Sequence, residues 1–348
     1  MLLATLRTYL KPYARNIALV ILFQLLATAA ALYLPTLNAR IIDEGVAQGD
    51  TAKIWNLGLI MLGVTAVQIV GQMSAIYFGA RTAMGFGRDL RAAIFHKALS
   101  FSTREVNHFG APSLITRTTN DVQQVQTLVM MTAFMIVQAP IMMVGGIFMA
   151  LREDIGLSWL IAVAVIVMGT IIVAILLQAL PLFRQMQVRI DTLNRVLREQ
   201  IAGLRVIRAF VREPWEATRF NRANSELTTT SLRVGRRMLT FFPVVQMVMA
   251  ASSVGVMWFG GLRVEAGEMQ IGQLTAFLQY LIQILMSVMM STMMLMIAPR
   301  AQVCAVRIQE VLRTDSSVVP PASPVREVAG HGEVRFEDVS FSYPGAEE

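Results

Sequence analysis

Apolar residues dominate this chain in long blocks, and the charged residues are confined to the gaps. Six windows, 16–39, 54–80, 122–151, 155–183, 238–262 and 269–299, contain no Asp, Glu, Lys or Arg over 24 to 31 residues each. About 20 apolar residues carry a helix across the hydrocarbon of a bilayer. The pattern therefore predicts six membrane-spanning helices. Ahead of the first window, Leu3, Leu6, Leu10 and Tyr13 line one helical face while Arg7, Lys11 and Arg15 line another. That amphipathic spacing predicts a helix over 1–15 lying on the membrane surface, bent near Pro12.

Between the windows the periodicity changes character. The segments 81–121 and 184–237 continue the helical pattern without the apolar density. In the second, Leu193, Leu197, Ile201 and Leu204 recur on one face among Arg and Glu. At 1.5 Å per residue, two arms of roughly 20 residues each reach about 30 Å beyond the membrane and back. Breakers mark a tip in each segment: Gly110 and Pro112 in "NHFGAPS" (107–113), and Pro214 at the expected start of a new short helix in "REPWEATRF" (212–220). Hairpins with such transverse tips have a use if something docks on them.

The pattern changes once more at the end. The helical run to residue 313 gives way to "VVPPASPVREVAGHGE", which reads as an extended linker over 314–332. In "VRFEDVSFSYPGAEE" (334–348), Val334 and Phe336, then Val339, Phe341 and Tyr343, alternate with polar residues. A period of two predicts short strands, and its slip at Glu337-Asp338 predicts a bulge or bend. The expected architecture is an all-α membrane domain over 16–313, followed at 333–348 by the start of a separate β-containing domain.

Composition sharpens the picture in one respect, the placement of charge. The chain has 348 residues, 55% hydrophobic and 15% charged, with a net charge of +7. Of 30 Lys and Arg, 26 lie before residue 16, in the two long connections or after residue 296. The three short connections hold only Arg40, Lys53, Arg152 and Arg263, beside seven carboxylates. Basic residues accumulate on the cytoplasmic side of membrane proteins, so both termini and both hairpins are expected there. This placement suits anionic headgroups and excludes nucleic acid as the reason for the basic charge. The single cysteine, Cys304, allows no internal disulfide and no Cys-rich metal site. The first apolar stretch is too long for a cleavable signal.

Several segments together resemble the membrane half of an ABC exporter with the type IV fold. "PSLITRTTNDVQQVQ" (112–126) is similar to the family segment after the first coupling helix, and "REQIAGLRVIRAFVREPWEATRFNRAN" (198–224) to the segment through the second. "PRAQVCAVRIQEVL" (299–312) resembles the end of the sixth span, and "VRFEDVSFSYPG" the first strands of the nucleotide-binding domain. With "QAPIMMVGGIFMAL" (138–151), the likeness is greatest to bacterial half-transporters that pair as heterodimers. The resemblance implies a bacterial cytoplasmic-membrane protein, working as a dimer with a second half-transporter and powered by ATP and Mg2+. It implies that Tyr343 stacks on adenine. It places coupling contacts at Asn107, His108, Phe109 and Gly110 and at Arg212, Pro214, Trp215 and Phe220, with Phe109 and Trp215 as anchors. No G-x-x-x-x-G-K-[ST] motif occurs, so the chain is expected to be cut soon after its adenine-stacking residue and not to hydrolyse ATP by itself.

The windows also indicate what kind of cargo is carried. Ion-coupled transporters keep ionisable residues inside the membrane as relays, and these windows hold no carboxylate, no Lys or Arg and no histidine, which argues against a secondary transporter. An isolated ligand-binding membrane domain without transport is the other alternative. The sixth window is crowded with methionine, a flexible residue that accepts varied apolar shapes. The expected pathway comprises Gln138, Gln246, Gln279, Tyr280, Gln283, Met286, Met290 and Met293, and suits a hydrophobic drug or a lipid. Pro140 is expected to free a backbone carbonyl and bend its helix. Gly145-Gly146 and Gly260-Gly261 are expected to let helices approach closely.

Overall fold

The computed structural model describes residues 2–319, 323 and 332–341, with all their side chains except those of 136 and 293–296. After α1 (Leu2–Leu10) and a 3-10 turn holding Pro12 comes α2 (Ala14–Arg40). The first long arm is α3 (Thr51–Leu99), started by Asp50, whose carboxylate accepts from Lys53 N at 3.1 Å. Next are α4 (Thr103–Phe109), α5 (Ala111–Thr116), α6 (Val122–Met131) and α7 (Val137–Glu153). The second arm is built from α8 (Ser158–Ala202), α9 (Leu204–Ala209) and α10 (Glu213–Glu265), and α11 (Ile271–Arg313) closes the bundle.

Among the described residues, six helical runs of 43 to 53 residues are long and apolar enough to cross a membrane. The 49 residues of α3 extend about 74 Å, more than twice the roughly 30 Å of hydrocarbon. The excess forms the arms. Three wider π turns, 41–46, 117–121 and 132–136, interrupt these runs. The last lies just ahead of Pro140, which can neither donate to the carbonyl at 136 nor tolerate it close by. The wider turn is a local way of accommodating that missing bond.

α2 lies along α3, α8 along α10, and α11 packs against both α7 and α2. Two apolar cores result, and α11 contributes to each. One gathers Ile161 and Met168 of α8, Val245 and Val256 of α10 and Phe277 and Ile284 of α11. The other, at the arm end, joins Phe86 and Leu90 of α3, Val122 and Val125 of α6 and Ala305 and Ile308 of α11. Cys304 is buried in this second core as a small packing residue. At Gly145-Gly146 the helices approach closely: a Cβ at Gly146 would stand 2.8 Å from Ile284 Cγ1, and one at Gly145 2.5 Å from Leu32 Cδ1.

Two expectations need correcting. Pro214 does not open a short helix; it stands in the first turn of α10, which runs for 53 residues. A proline needs no amide hydrogen there, so the helix continues past it. The short helix of that hairpin is α9, which begins ten residues before Pro214. The β-structure expected at the C-terminus is not formed among the described residues, since 332–341 contain no strand. An isolated short strand has no ladder partner to bond. The predicted bend at Glu337-Asp338 does coincide with a φ of 50° at Asp338.

Tyr280 holds α11 to α2. It is fully buried, and its hydroxyl donates to Leu32 O at 2.8 Å and meets Thr36 Oγ1 at 2.7 Å. Tyr280→Phe removes both bonds without changing the packing. Such bonds between membrane helices contribute about 0.6 kcal/mol each, so the variant is expected to lose about 1 kcal/mol of stability. Unfolding in mixed detergent measures this, and an unchanged midpoint contradicts it.

Candidate functional site

The first tip is built by local chemistry. Ser102 caps α4, and Glu105 completes a capping box by accepting from Ser102 N at 3.0 Å and Ser102 Oγ at 2.5 Å. Gly110, with φ +74°, ends α4 where a residue with a Cβ would be strained, and Pro112 stands in the first turn of α5. Asn107 and His108 are exposed on α4. Phe109 is not free: it stacks on Phe101 with centroids 5.7 Å apart, and the Arg117 guanidinium lies 5.0 Å over its ring. The expected docking anchor of this tip therefore packs within its own chain.

Ion pairs and hydrogen bonds then strap the tip to the end of α11. Arg117 donates to Arg307 O and pairs with Glu310, both at 2.7 Å, while Arg307 pairs with Asp121 at 3.4 Å. Lys97 meets Asp315 at 3.0 Å, and Ser102 Oγ meets Ser317 Oγ at 2.9 Å. On the other side Gln309 donates to Thr5 of α1 at 2.9 Å. These partners stand 186 to 304 residues apart in sequence, so no spacing rule could have paired them.

The second tip presents a different surface. Gly203 ends α8, and the chain turns through Val211, whose φ of +50° is unusual for a β-branched residue. Phe210 and Val211 are exposed, and Trp215 is 57% exposed despite its size. Phe210 and Trp215, with Val206, Ile207, Arg212 and Glu216, border an open hollow of about 510 Å³. Beneath it, Gln200 donates to Glu216 O and Oε2, both at 2.9 Å, and Arg219 pairs with Glu199. Arg219 also lies 5.9 Å over the Trp215 ring. Pro214 and Arg212 are exposed and Phe220 is half-buried. The polar network fixes the ends of α8 and α10, and the apolar side chains above it are left open.

Of the expected pathway residues, Gln279, Gln283, Met286 and Met290 share one stripe of α11, turned away from the buried face that carries Phe277, Tyr280 and Ile284. Tyr280 belongs to the core instead. Gln138 is half-buried on α7 and Gln246 exposed on α10, so neither joins the α11 stripe in an enclosed site. A cavity of about 590 Å³ between α2, α7 and the start of α11 is lined by none of these residues. The Met293 side chain and Tyr343 lie outside the described residues. One residue that the periodicity gave no reason to single out is Gln24 of α2. It is fully buried with both amide atoms unbonded among the described residues, and the Oε1 of Gln283 is unbonded too. Leaving such groups unpaired costs about 1–3 kcal/mol each. Among the described residues no group of His, Cys, Asp and Glu could hold a metal.

Long helical arms, two tips and an apolar six-helix bundle define a multi-pass membrane protein of the transporter type. The ABC transporter transmembrane region family matches residues 17–288, and the chain belongs to that family. It is 50% identical over 348 residues to an uncharacterized ABC transporter ATP-binding protein of Mycobacterium tuberculosis, covering 100% of this chain and 60% of that protein. It is 29% identical over 337 residues to the uncharacterized ABC transporter ATP-binding protein YfiB of Bacillus subtilis, covering 97% and 58%. A multidrug efflux ATP-binding/permease protein of Mycobacterium tuberculosis is 25% identical over 335 residues, 96% of this chain and 28% of that one. The chain thus spans 60% or less of the length of each of these relatives.

The first tip has a built-in acid limit. The Ser102 hydroxyl, with further bonds from Ser102 N and Ser317, holds the Glu105 carboxyl down at about 2, against an ordinary 4.5. A depressed carboxyl supports the fold fully above its unfolded value and loses that support as pH falls through its folded one. Hydrogen-exchange protection over 102–109 is expected to fall between about pH 4.5 and 2 in the native chain. In Glu105→Gln it is expected to be lower at neutral pH and flat across that range. Parallel profiles for the two proteins contradict the assignment.

Proposed function

We propose that this chain is the transmembrane part of an ATP-driven ABC exporter half-transporter that moves hydrophobic drugs or lipids across a bacterial cytoplasmic membrane. The observation that carries the proposal is the exposed apolar tip around Trp215, held rigid by Glu199, Gln200, Glu216 and Arg219 at the far end of the second arm. Large apolar side chains grouped in the open mark a surface that another domain covers. In this reading the cover is a nucleotide-binding domain, and both termini and both tips face the cytoplasm, as the distribution of basic residues supports. The domain division is the surface helix over 1–15, the membrane domain over 16–313 with its two tips, the linker over 314–332 and the nucleotide-binding domain from 333.

Two such halves complete one machine. The stripe of Gln279, Gln283, Met286 and Met290 lies on the less buried side of α11, with Met286 exposed, and a second half would supply the opposite wall of an apolar pathway with scattered amides. The resemblance in 138–151 favours a different chain as that second half. ATP and Mg2+ act on the nucleotide-binding domains of the full-length pair, with Tyr343 stacking on adenine. Closure of those domains is passed through the tips to the spans. The multidrug efflux relative supports hydrophobic cargo, as does the lack of Asp, Glu, Lys, Arg and His within the six windows.

The test is ATP-driven flux of a fluorescent hydrophobic dye and of a labelled phospholipid by the full-length pair in proteoliposomes. Trp215→Ala is expected to keep ATP hydrolysis while lowering flux about tenfold, within the range of a coupling energy of 1–3 kcal/mol. Phe109→Ala is expected to lower both together, because Phe109 supports its tip from within. Flux driven by a proton gradient without ATP would overturn the proposal.

A further inference from the structure

At the end of the bundle opposite the arms, the 590 Å³ cavity between α2, α7 and the start of α11 has two unlike halves. Its inner half is apolar, lined by Ala29, Leu32, Phe148 and Met149. Its outer half carries Arg40 and Arg152 together with Asp43, Glu44 and Glu153. From Ala29 to Asp43 the lining climbs 14 residues of helix, about 21 Å, from inside an apolar window to its charged margin. The volume falls within the range of about 300–1,000 Å³ usual for small-molecule sites.

The charged half is unusual in its pairing. Among the described residues neither Arg40 nor Arg152 has a carboxylate within ion-pair distance, although three carboxylates line the same cavity. Arg152 lies over the Phe148 ring at 5.9 Å, and Glu153 Oε1 meets only the Thr36 hydroxyl, at 3.2 Å. Asp43 is partly used, since its Oδ1 accepts from Gly272 N at 2.6 Å and ties α2 to the start of α11. Two cationic and three anionic groups thus share one wall and leave much of each other's bonding capacity open.

We propose that this groove binds one zwitterionic phospholipid, with a phosphate on Arg40 and Arg152, an ammonium among Glu44, Glu153 and Asp43, and an acyl chain along the apolar half. Guanidinium groups match phosphate oxygens in a forked geometry. The carboxylates accept from an ammonium. A net-anionic lipid would leave these carboxylates opposed, and a purely cationic amphiphile would meet the two arginines. A soluble zwitterion would satisfy the charges and leave the apolar half uncovered. Binding here needs the membrane-spanning reading but neither ATP nor transport, so its failure and that of the exporter reading are separable.

The experiment is native mass spectrometry of the full chain released from detergent after exposure to equal amounts of phosphatidylethanolamine and phosphatidylglycerol. The native chain is expected to retain the ethanolamine lipid about tenfold over the glycerol lipid, equivalent to about 1.4 kcal/mol. R40Q/R152Q, which breaks no ion pair among the described residues, is expected to bring the two lipids to parity. A29F leaves every charge in place and fills the apolar half, and is expected to lower retention of the ethanolamine lipid as well. Equal retention by the native chain, selectivity surviving R40Q/R152Q, or full retention by A29F each overturns the proposal. So does displacement by glycerophosphoethanolamine at equal concentration, which would make the ligand a soluble headgroup. Lipid adducts on monomers but none on dimers would make a second copy of the chain the occupant, and that also overturns it.

Discussion

Hydrocarbon offers a backbone no hydrogen bonds, so every peptide group that crosses it must be bonded within its own segment. The six long helical runs are the response to that constraint, and the departures from regular helix are placed where it can be relaxed or repaired. The π turn at 132–136 prepares for Pro140. The breaks at Gly110 and Val211 stand beyond the apolar windows, where water or polar side chains can meet the freed groups. With the backbone satisfied locally, the helices are held together by close packing and a few well-placed polar contacts, because burying apolar surface against other apolar surface in lipid contributes little.

α11 is where those contacts concentrate. At one end the carboxylate of Asp43 caps its first turn, in its middle Tyr280 binds the backbone of α2, and at the other end Arg117 and Gln309 hold it to the first tip and to α1. The first tip is therefore tied to α11 through ion pairs and hydrogen bonds. The α8–α10 pair is attached differently, mainly through apolar contact with α11. Its far end carries the open surface around Trp215. One arm is strapped to the bundle and the other projects from it, an asymmetry that suits a chain whose second arm works on a partner.

The 590 Å³ cavity shows the same principle at the opposite end. Charges at a membrane margin are tolerated when they face water or polar headgroups, and here they border a groove whose floor is apolar. Binding of a headgroup there would complete the bonding of Arg40 and Arg152. The tips and the groove are thus separate surfaces, one suited to a soluble domain and one to the lipid layer.

Much of this was legible in the chain itself. The six spans followed from charge-free windows, the arms from helical periodicity that outlasted those windows, and the breaks from Gly110 and Pro112, because these signals are local and each segment satisfies its own backbone. The β-alternation after Val334 was equally clear as a pattern, but a strand needs a neighbour, and none of the described residues provides one. Pro214 misled for a related reason: a proline tolerated in a first helical turn does not say how far the helix continues. Tertiary structure alone decided that Tyr280 is a core residue and not a pathway one, that Phe109 packs inward while Trp215 stays open, and that Arg117 meets Glu310. Those outcomes depend on contacts between residues distant in sequence, and hydrophobic periodicity carries no information about which distant partner a helix face will meet.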